Sequence, residues 1–594
     1  MVHWRAGFEK RLWVSVVLMM ACMIVACSHH PRHQNAPVLQ ARFADGDFIK
    51  VTSRHNEVAQ ALPAMYYDVS IPSFDGVELK ATVYQPALAP WQKAPLIVHS
   101  HSFGMFRMSS PASLYGEVIV TGRAALEAWR QGYWVLSYDQ RGHGDSGGQV
   151  RVMDPEYEVR DLSIVLDWAE RHLSRLQFQE GNPLVGMVGE SYSGALQLLG
   201  AAEDSRIDAI VPFNTWYDIR ASLAPGRVPK TGWLNWLERL NVFVNGFQRP
   251  AFDDSLYETY AQASKGRVSD VVAERWDNRS IKSHCESMPE WRADTLLVQG
   301  FRDVLFPINE AVKTYQCLNE TGVDVRMLGV QGGHLLPLAQ SAWVPGFHVE
   351  QVFYCNGVKY GIQDVVLSWF DAKLKGQEDR IASLPEICLT HGHGSGSVLP
   401  EVPIGGQAFV VKDTWVKEAP GAALVKPLTW FGRFLDWLPG NRLGVAGQEL
   451  EQQGGRFGPA FMPLMQAERE RKLAGIPLAN LNLSADVNQV DLGPTLFVGI
   501  GIRRAHKKSV RLLNDQVLPI KGYGDHFIEM PGVSAILQPG EALGLLVYVR
   551  SPQYVGLGLK QQAPVKVAGV LEIPFSDEGY QGISAFKADW QAAY

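Results

Sequence analysis

Cysteine is scarce in this chain: six in 594 residues, too few for a disulfide scaffold. An excess of one charge is also missing. Lys and Arg number 55 against 61 Asp and Glu, and a net charge of −6 offers no basic face for nucleic acid. The one long apolar run is residues 12–26 (LWVSVVLMMACMIVA). At about 1.5 Å per residue it reaches roughly 22 Å, short of a ~30 Å hydrocarbon core, which excludes a polytopic membrane protein. There is no internal repeat. What the chain has in quantity is ordinary globular material: 46% hydrophobic residues, with 56 Gly and 34 Pro to make many turns between β segments. Single cores stop growing near ~250–300 residues, so a chain of this length needs two or more domains.

Arg5, Lys10 and Arg11 stand ahead of the apolar run, and the pair of features reads as a secretory signal over residues 1–26. It ends in Ile24-Val25-Ala26-Cys27, which resembles a bacterial lipobox. The resemblance implies that Cys27 is lipidated and becomes the first mature residue. Ser28 in place of Asp after it implies sorting to the outer membrane, facing the periplasm. Each buried CH₂ of an acyl chain contributes about 0.8 kcal/mol, so two or three chains anchor stably. Residues 27–64 are polar, with scattered His and Pro, and read as a tether. Of the remaining cysteines, Cys285, Cys317, Cys355 and Cys388 can pair in an exported protein, and four thiols leave three connectivities open.

From residue 65 the pattern is regular. Two β-rich runs, 67–71 and 77–84, flank the turn signal Phe74-Asp75-Gly76 and predict a hairpin. Wholly apolar runs at 95–99 (PLIVH), 133–138, 184–188, 207–212 and 295–299 then alternate with helical spacing at 121–131, 159–173 and 193–202. Such alternation predicts a parallel sheet with right-handed crossovers. The rhythm stops at Asn214 for about 80 residues that hold five of the 17 Trp: Trp216, Trp233, Trp236, Trp276 and Trp291. This stretch, about 215–293, reads as an inserted helical cap. A strand at 323–330 and a helix at 365–375, stopped by Gly376, close the first domain at 376. Residues 377–594 hold short β runs at 409–411, 495–502, 509–513, 543–550 and 565–573, which predict a β-sandwich. The stretch 420–480 reads as less regular.

The chemistry lies in Gly189-Glu190-Ser191-Tyr192-Ser193-Gly194, between an apolar strand and a helix. That is the context of a nucleophile elbow, although Ser193 stands where the generic pattern has glycine. A serine hydroxyl needs a base to take its proton and an acid to orient that base. Asp303 follows the strand at 295–299, and His334 follows the strand at 323–330 in Gln331-Gly332-Gly333-His334. Ser191, Asp303 and His334 thus leave three separate strands in the order of an α/β-hydrolase triad. The oxyanion hole is expected from the N–H of Tyr192 and the N–H of Phe103, in the His101-Ser102-Phe103-Gly104 loop after the PLIVH strand. Asp139-Gln140-Arg141-Gly142-His143-Gly144-Asp145-Ser146-Gly147-Gly148 reads as a bracing turn, since it lacks the Gly-Lys-Ser/Thr step of a phosphate loop. His391 and His393 have no further ligands at a familiar spacing, and we expect a turn there rather than a metal. No metal or cofactor is expected anywhere.

The elbow G-x-S-Y-x-G, the opening DGVELKATVYQP, the RG-x-G-x-S-x-G turn and the closing WFDAKLKG resemble the X-Pro dipeptidyl peptidase/cocaine esterase family. The resemblance implies an α/β-hydrolase domain with a helical cap, a C-terminal jelly roll, and hydrolysis of esters or amides of compact acyl groups. In that family a tyrosine hydroxyl from the loop after the third strand serves the oxyanion; here Ser102 or Phe103 occupies the place. The expectation is a membrane-anchored serine hydrolase acting on a small ester, amide or short peptide. The alternatives are an X-Pro-type exopeptidase, with Asp253, Asp254 or Glu258 of the cap holding the substrate amine, and a catalytically idle envelope-binding lipoprotein.

Overall fold

A computed structural model describes residues 60–577, apart from 245–250, 267, 286–290, 336–345, 393, 417–450, 454–459, 486–492, 508 and 555–563. The expected signal (1–26), Cys27 and most of the tether (27–64) lie outside the described residues, as does His393.

The chain opens with the expected hairpin, β1 (Met65–Pro72) against β2 (Glu78–Gln85), paired antiparallel from Met65↔Gln85 to Pro72↔Glu78. Gly76 takes φ +82° in the turn, and the Val77 N–H donates to Asp75 Oδ1 at 3.2 Å. Then come β3 (Leu96–His99), α1 (Val120–Arg130), β4 (Trp134–Tyr138), α2 (Arg160–His172), β5 (Val185–Glu190), α3 (Tyr192–Glu203) and β6 (Ile207–Phe213). Every residue of β3, β4 and β5 is buried, as strands covered on both faces require. Leu96 and Val98 go to one apolar core with Leu162, Val165 and Leu196; Ile97 goes to the other with Ala124, Trp369 and Phe370. The sheet is therefore a middle layer between two sets of helices.

The cap follows, with α4 (Thr231–Val244) and α5 (Asp254–Ala263) its longest described helices. The sheet resumes with β7 (Asp294–Gly300), α6 (Asn309–Asn319), β8 (Val325–Val330) and α7 (Ile362–Lys375), which ends on Gly376 in the left-handed region. Two disulfides resolve the open pairing: Cys285–Cys317 staples the end of the cap to α6, and Cys355–Cys388 ties a hairpin to the sheet.

The first domain does not close at 376. β9 (Ile387–Gly392) pairs parallel with β8, and β10 (Ser395–Val398) pairs antiparallel with β9. The sheet order is β1-β2-β4-β3-β5-β6-β7-β8-β9-β10. The helix read as a terminus is a crossover that carries the chain to one more buried parallel strand. His391 accordingly lies within β9 rather than in a turn, its ring hydrogen-bonded to Leu473 O (3.1 Å) and Ser397 Oγ (2.8 Å).

Beyond 398 the described strands are antiparallel. Gln407–Val416, Val565–Ile573, Leu478–Ser484 and Gly524–Glu529 form one sheet. Thr495–Arg503 is central to a second, with Ala542–Tyr548, Ser509–Leu512 and Ala460–Gln466. Their inner residues, among them Val411, Leu481, Val567, Val498, Ile500 and Leu545, share one core. The end of the stretch read as irregular, from 460 to 480, is strand-forming.

Candidate active site

Ser191 sits between β5 and α3 at φ 59°, ψ −113°, a conformation that costs a non-glycine residue about 1–3 kcal/mol. Its surroundings enforce it. The Ser191 N–H donates to Phe213 O at 2.8 Å, and its carbonyl accepts from Ala195 N (3.1 Å) and Thr215 Oγ1 (2.9 Å). A Cβ on Gly189 would overlap Ser193 Oγ, so the serine that departs from the generic motif fits because position 189 has no side chain. A Cβ on Gly194 would come within 2.7 Å of Thr215 Cβ.

Asp303 and His334 leave the neighbouring strands β7 and β8. Asp303 is fully buried; Oδ1 accepts from the N–H groups of Leu305 (3.0 Å) and Phe306 (2.7 Å), and Oδ2 lies 2.5 Å from His334 Nδ1. With a carboxylate facing Nδ1, that nitrogen carries the proton and Nε2 is left as the acceptor. The two loops are stitched together: Phe301 N donates to Val330 O (2.9 Å), Arg302 N to Gly332 O (2.9 Å) and Val304 N to His334 O (3.2 Å). Gly333, at φ +123°, permits this approach, because a Cβ there would lie 2.5 Å from Asp303 Cα. Asn214, at the end of β6, bridges toward the elbow by accepting from Gly300 N at 2.7 Å.

On the other side of the elbow lies the expected oxyanion loop. Tyr192 opens α3, so its N–H is among those with no intrahelical partner. The Phe103 N–H donates to no acceptor among the described residues. The Ser102 N–H is already used: it donates to Tyr115 Oη (2.8 Å), which donates in turn to Glu190 Oε1 (2.7 Å). Ser102 Oγ (2.6 Å) and Thr121 Oγ1 also donate to Glu190. Burial pushes the Glu190 carboxyl up, while these hydroxyls and the nearby His334 act to lower it. The tyrosine that reaches this loop thus braces Ser102 and Glu190. His101 ties the loop to the bracing turn, its Nε2 accepting from Gln140 N at 3.0 Å; burial holds it neutral, down at about 4. In that turn Arg141 pairs with Asp161 (2.7 Å) and Asp75 (3.0 Å), the structural role expected of it.

The cap brings aromatic surface to the same place. Trp233 stands edge-on to His334 with ring centroids 5.9 Å apart, and Phe306 at 5.3 Å. Phe252 of the cap packs on Phe103 at 5.8 Å, and Trp216 on Phe306 at 5.1 Å. Trp276 and Trp291 spend their indole N–H groups on Thr259 Oγ1 and Ala293 O. Lys230, just before α4, is buried and donates to Leu305 O at 2.8 Å; burial lowers it to about 8, against the pull of Asp303 and Glu310. No group of three or more His, Cys, Asp or Glu suited to a metal occurs among the described residues.

Glu190, Asn214 and Lys230 were not singled out from sequence. Glu190 carried a signal, a charged residue closing a wholly buried strand; Asn214 and Lys230 carried none beyond their places after β6 and before α4.

A sheet of this order with a serine at its elbow defines an α/β hydrolase. Residues 75–336 match the family model described as X-Pro dipeptidyl-peptidase (S15 family), and over that stretch the chain is similar to the X-Pro dipeptidyl peptidase/cocaine esterase family. Among solved structures, an aminopeptidase from the marine sediment archaeon Thaumarchaeota archaeon is similar in fold, at TM-score 0.58 and 14% identity over 90% of this chain and 99% of that one. A CocE/NonD family hydrolase from Staphylococcus aureus gives 0.56 and 12%, covering 86% and 94%. An alpha-amino acid ester hydrolase gives 0.56 and 13%, covering 91% and 100%. An uncharacterized 31.7 kDa protein of Escherichia coli is 30% identical over 148 residues, and the chain spans 44% of that relative's length.

Proposed function

We propose that the chain is a serine hydrolase that cleaves ester or amide bonds through an acyl-enzyme on Ser191. The observation that carries this is the Asp303–His334 hydrogen bond at the carboxyl ends of strands beside a serine held in elbow geometry. Ser191 attacks the carbonyl; His334 Nε2 takes its proton and returns it to the leaving group; Asp303 holds the imidazole in that tautomer and stabilises the imidazolium. The Tyr192 and Phe103 N–H groups receive the oxyanion. A water then repeats the sequence on the acyl-enzyme and frees the acid.

The apolar walls from Trp233, Phe306 and Phe252 favour short or aromatic acyl esters over long-chain lipids. X-Pro amides are the weaker substrates, because Tyr115 Oη is engaged with Ser102 and Glu190 rather than offered to the oxyanion. The enzyme is anchored by acyl chains on Cys27 in the outer membrane, facing the periplasm. Ser191→Ala should abolish labelling by a fluorophosphonate probe and lower kcat by about 10⁶-fold, with melting unchanged. A labelled Ser191→Ala protein would overturn the reading.

A further inference from the structure

The acid loop has two edges. Its N–H edge is taken by the histidine loop, through Phe301, Arg302 and Val304. Its carbonyl edge is taken by the other domain. The side-chain amide of Gln516 donates to both Phe301 O (2.9 Å) and Asp303 O (2.8 Å), the carbonyls on either side of Arg302. Arg302 is buried and donates to Asp515 Oδ2 from Nε (3.2 Å) and Nη2 (2.5 Å).

The turn that supplies these groups is itself fixed. Asn514 and Asp515 are consecutive non-glycine residues at φ 51° and 57°, both buried. Such backbone persists only where its surroundings over-determine it. They do: Asn514 Oδ1 accepts from Ser534 N (2.8 Å), and Asp515 O accepts from Gln553 Nε2 (3.0 Å). Two residues of the β-sandwich, Asp515 and Gln516, therefore converge on residues 301–303, and Asn514, Ser534 and Gln553 hold them in place.

We propose that Gln516, held by the 513–516 turn, is a positioning residue for Asp303, so that the C-terminal domain completes the catalytic geometry of the first. This rests on the triad reading above. One planar amide with two N–H groups satisfies the carbonyls of Phe301 and Asp303, and so fixes the Asp303–Val304 peptide plane that adjoins the acid and the plane that enters Arg302 before it. Without it those carbonyls are buried and unpaired, and the loop must rotate to find other donors.

The test is Gln516→Met, which keeps the bulk and removes both donors, made in the full-length protein alone and with Asp303→Asn. We expect Gln516→Met to lower kcat about 10- to 100-fold, the cost of displacing a catalytic group by about an ångström, with KM within about threefold. In the Asp303→Asn background the same change should cost less than threefold, because residues acting through one another are not additive. His391→Gln, at the contact between β9 and Leu473, is the control for domain docking and should leave kcat unchanged. If Gln516→Met does not fold, Gln516→Glu keeps the shape, lacks the donors and should show the same loss. Wild-type kcat in a folded Gln516 variant, an equal loss in both backgrounds, or an equal loss in His391→Gln would each overturn the proposal. Should Asp303→Asn alone keep wild-type kcat, the triad reading fails and this proposal falls with it. An inactive Asp303→Asn beside an unimpaired Gln516→Met defeats the proposal alone.

Discussion

The elbow at Ser191 and the loop at Asp303 stand two strands apart and are held by different means. Around Ser191 the contacts described come from its own domain: Gly189 against Ser193, Gly194 against Thr215, Glu190 against Ser102, Tyr115 and Thr121. Around Asp303 the N–H edge belongs to the histidine loop, and the carbonyl edge to a turn more than two hundred residues on. A proposed nucleophile seated in a tight strand–helix turn can be written as a short motif. A proposed acid whose loop is held by a distant turn cannot.

The largest effect expected within this comparison is at the acid. Asp303→Asn keeps the shape and spoils the tautomer of His334, and should cost about 10⁴-fold in kcat. Steady-state turnover of a p-nitrophenyl ester checks it; more than a tenth of wild-type rate would hand the role to another carboxylate. Next comes the self-sufficiency of the elbow. Gly189→Ala drives a methyl into Ser193 Oγ and should destabilise the fold by about 1–3 kcal/mol, as overpacking does. Ser193→Gly in the same protein should recover most of that in thermal unfolding, because the clash is local. No recovery would mean that the elbow leans on something farther away. The smallest effect concerns the cap. Trp233→Leu should lower kcat/KM for benzoyl against acetyl esters about fivefold, the worth of ~1 kcal/mol of aromatic contact. An unchanged ratio would remove Trp233 from the substrate wall.

What could be read in the sequence follows the same division. β3 and β4 were legible because LIVH and WVLSY are apolar without interruption, which only strands buried on both faces tolerate. The domain boundary was not, since a helix closed by Gly376 looks the same whether the chain stops or crosses over to β9. In the sandwich, Leu478–Ser484 (LANLNLS) and Gly524–Glu529 (GDHFIE) escaped notice. Their polar residues suit one half-exposed sheet face and leave no apolar run to find. Ser191, Asp303 and His334 are proposed from motif and order alone, and the fold brings Asp303 and His334 into hydrogen-bond contact. Gln516 could not be, because nothing in Asp515-Gln516-Val517 announces two carbonyls that folding alone brings within reach.

The disulfides bear on how much of this architecture survives outside an oxidising solution. Cys285–Cys317 and Cys355–Cys388 are separated by 32 and 33 residues. Loops of that size remove conformational freedom from the unfolded chain worth about 3–4 kcal/mol each. The two together, about 6–8 kcal/mol, fall within the lower half of the roughly 5–15 kcal/mol by which a typical protein is stable at all. Reductant therefore acts mainly on the unfolded chain, by giving back entropy that the crosslinks had withheld. A sample treated with dithiothreitol should melt well below the oxidised protein, which a calorimetric scan with and without reductant measures.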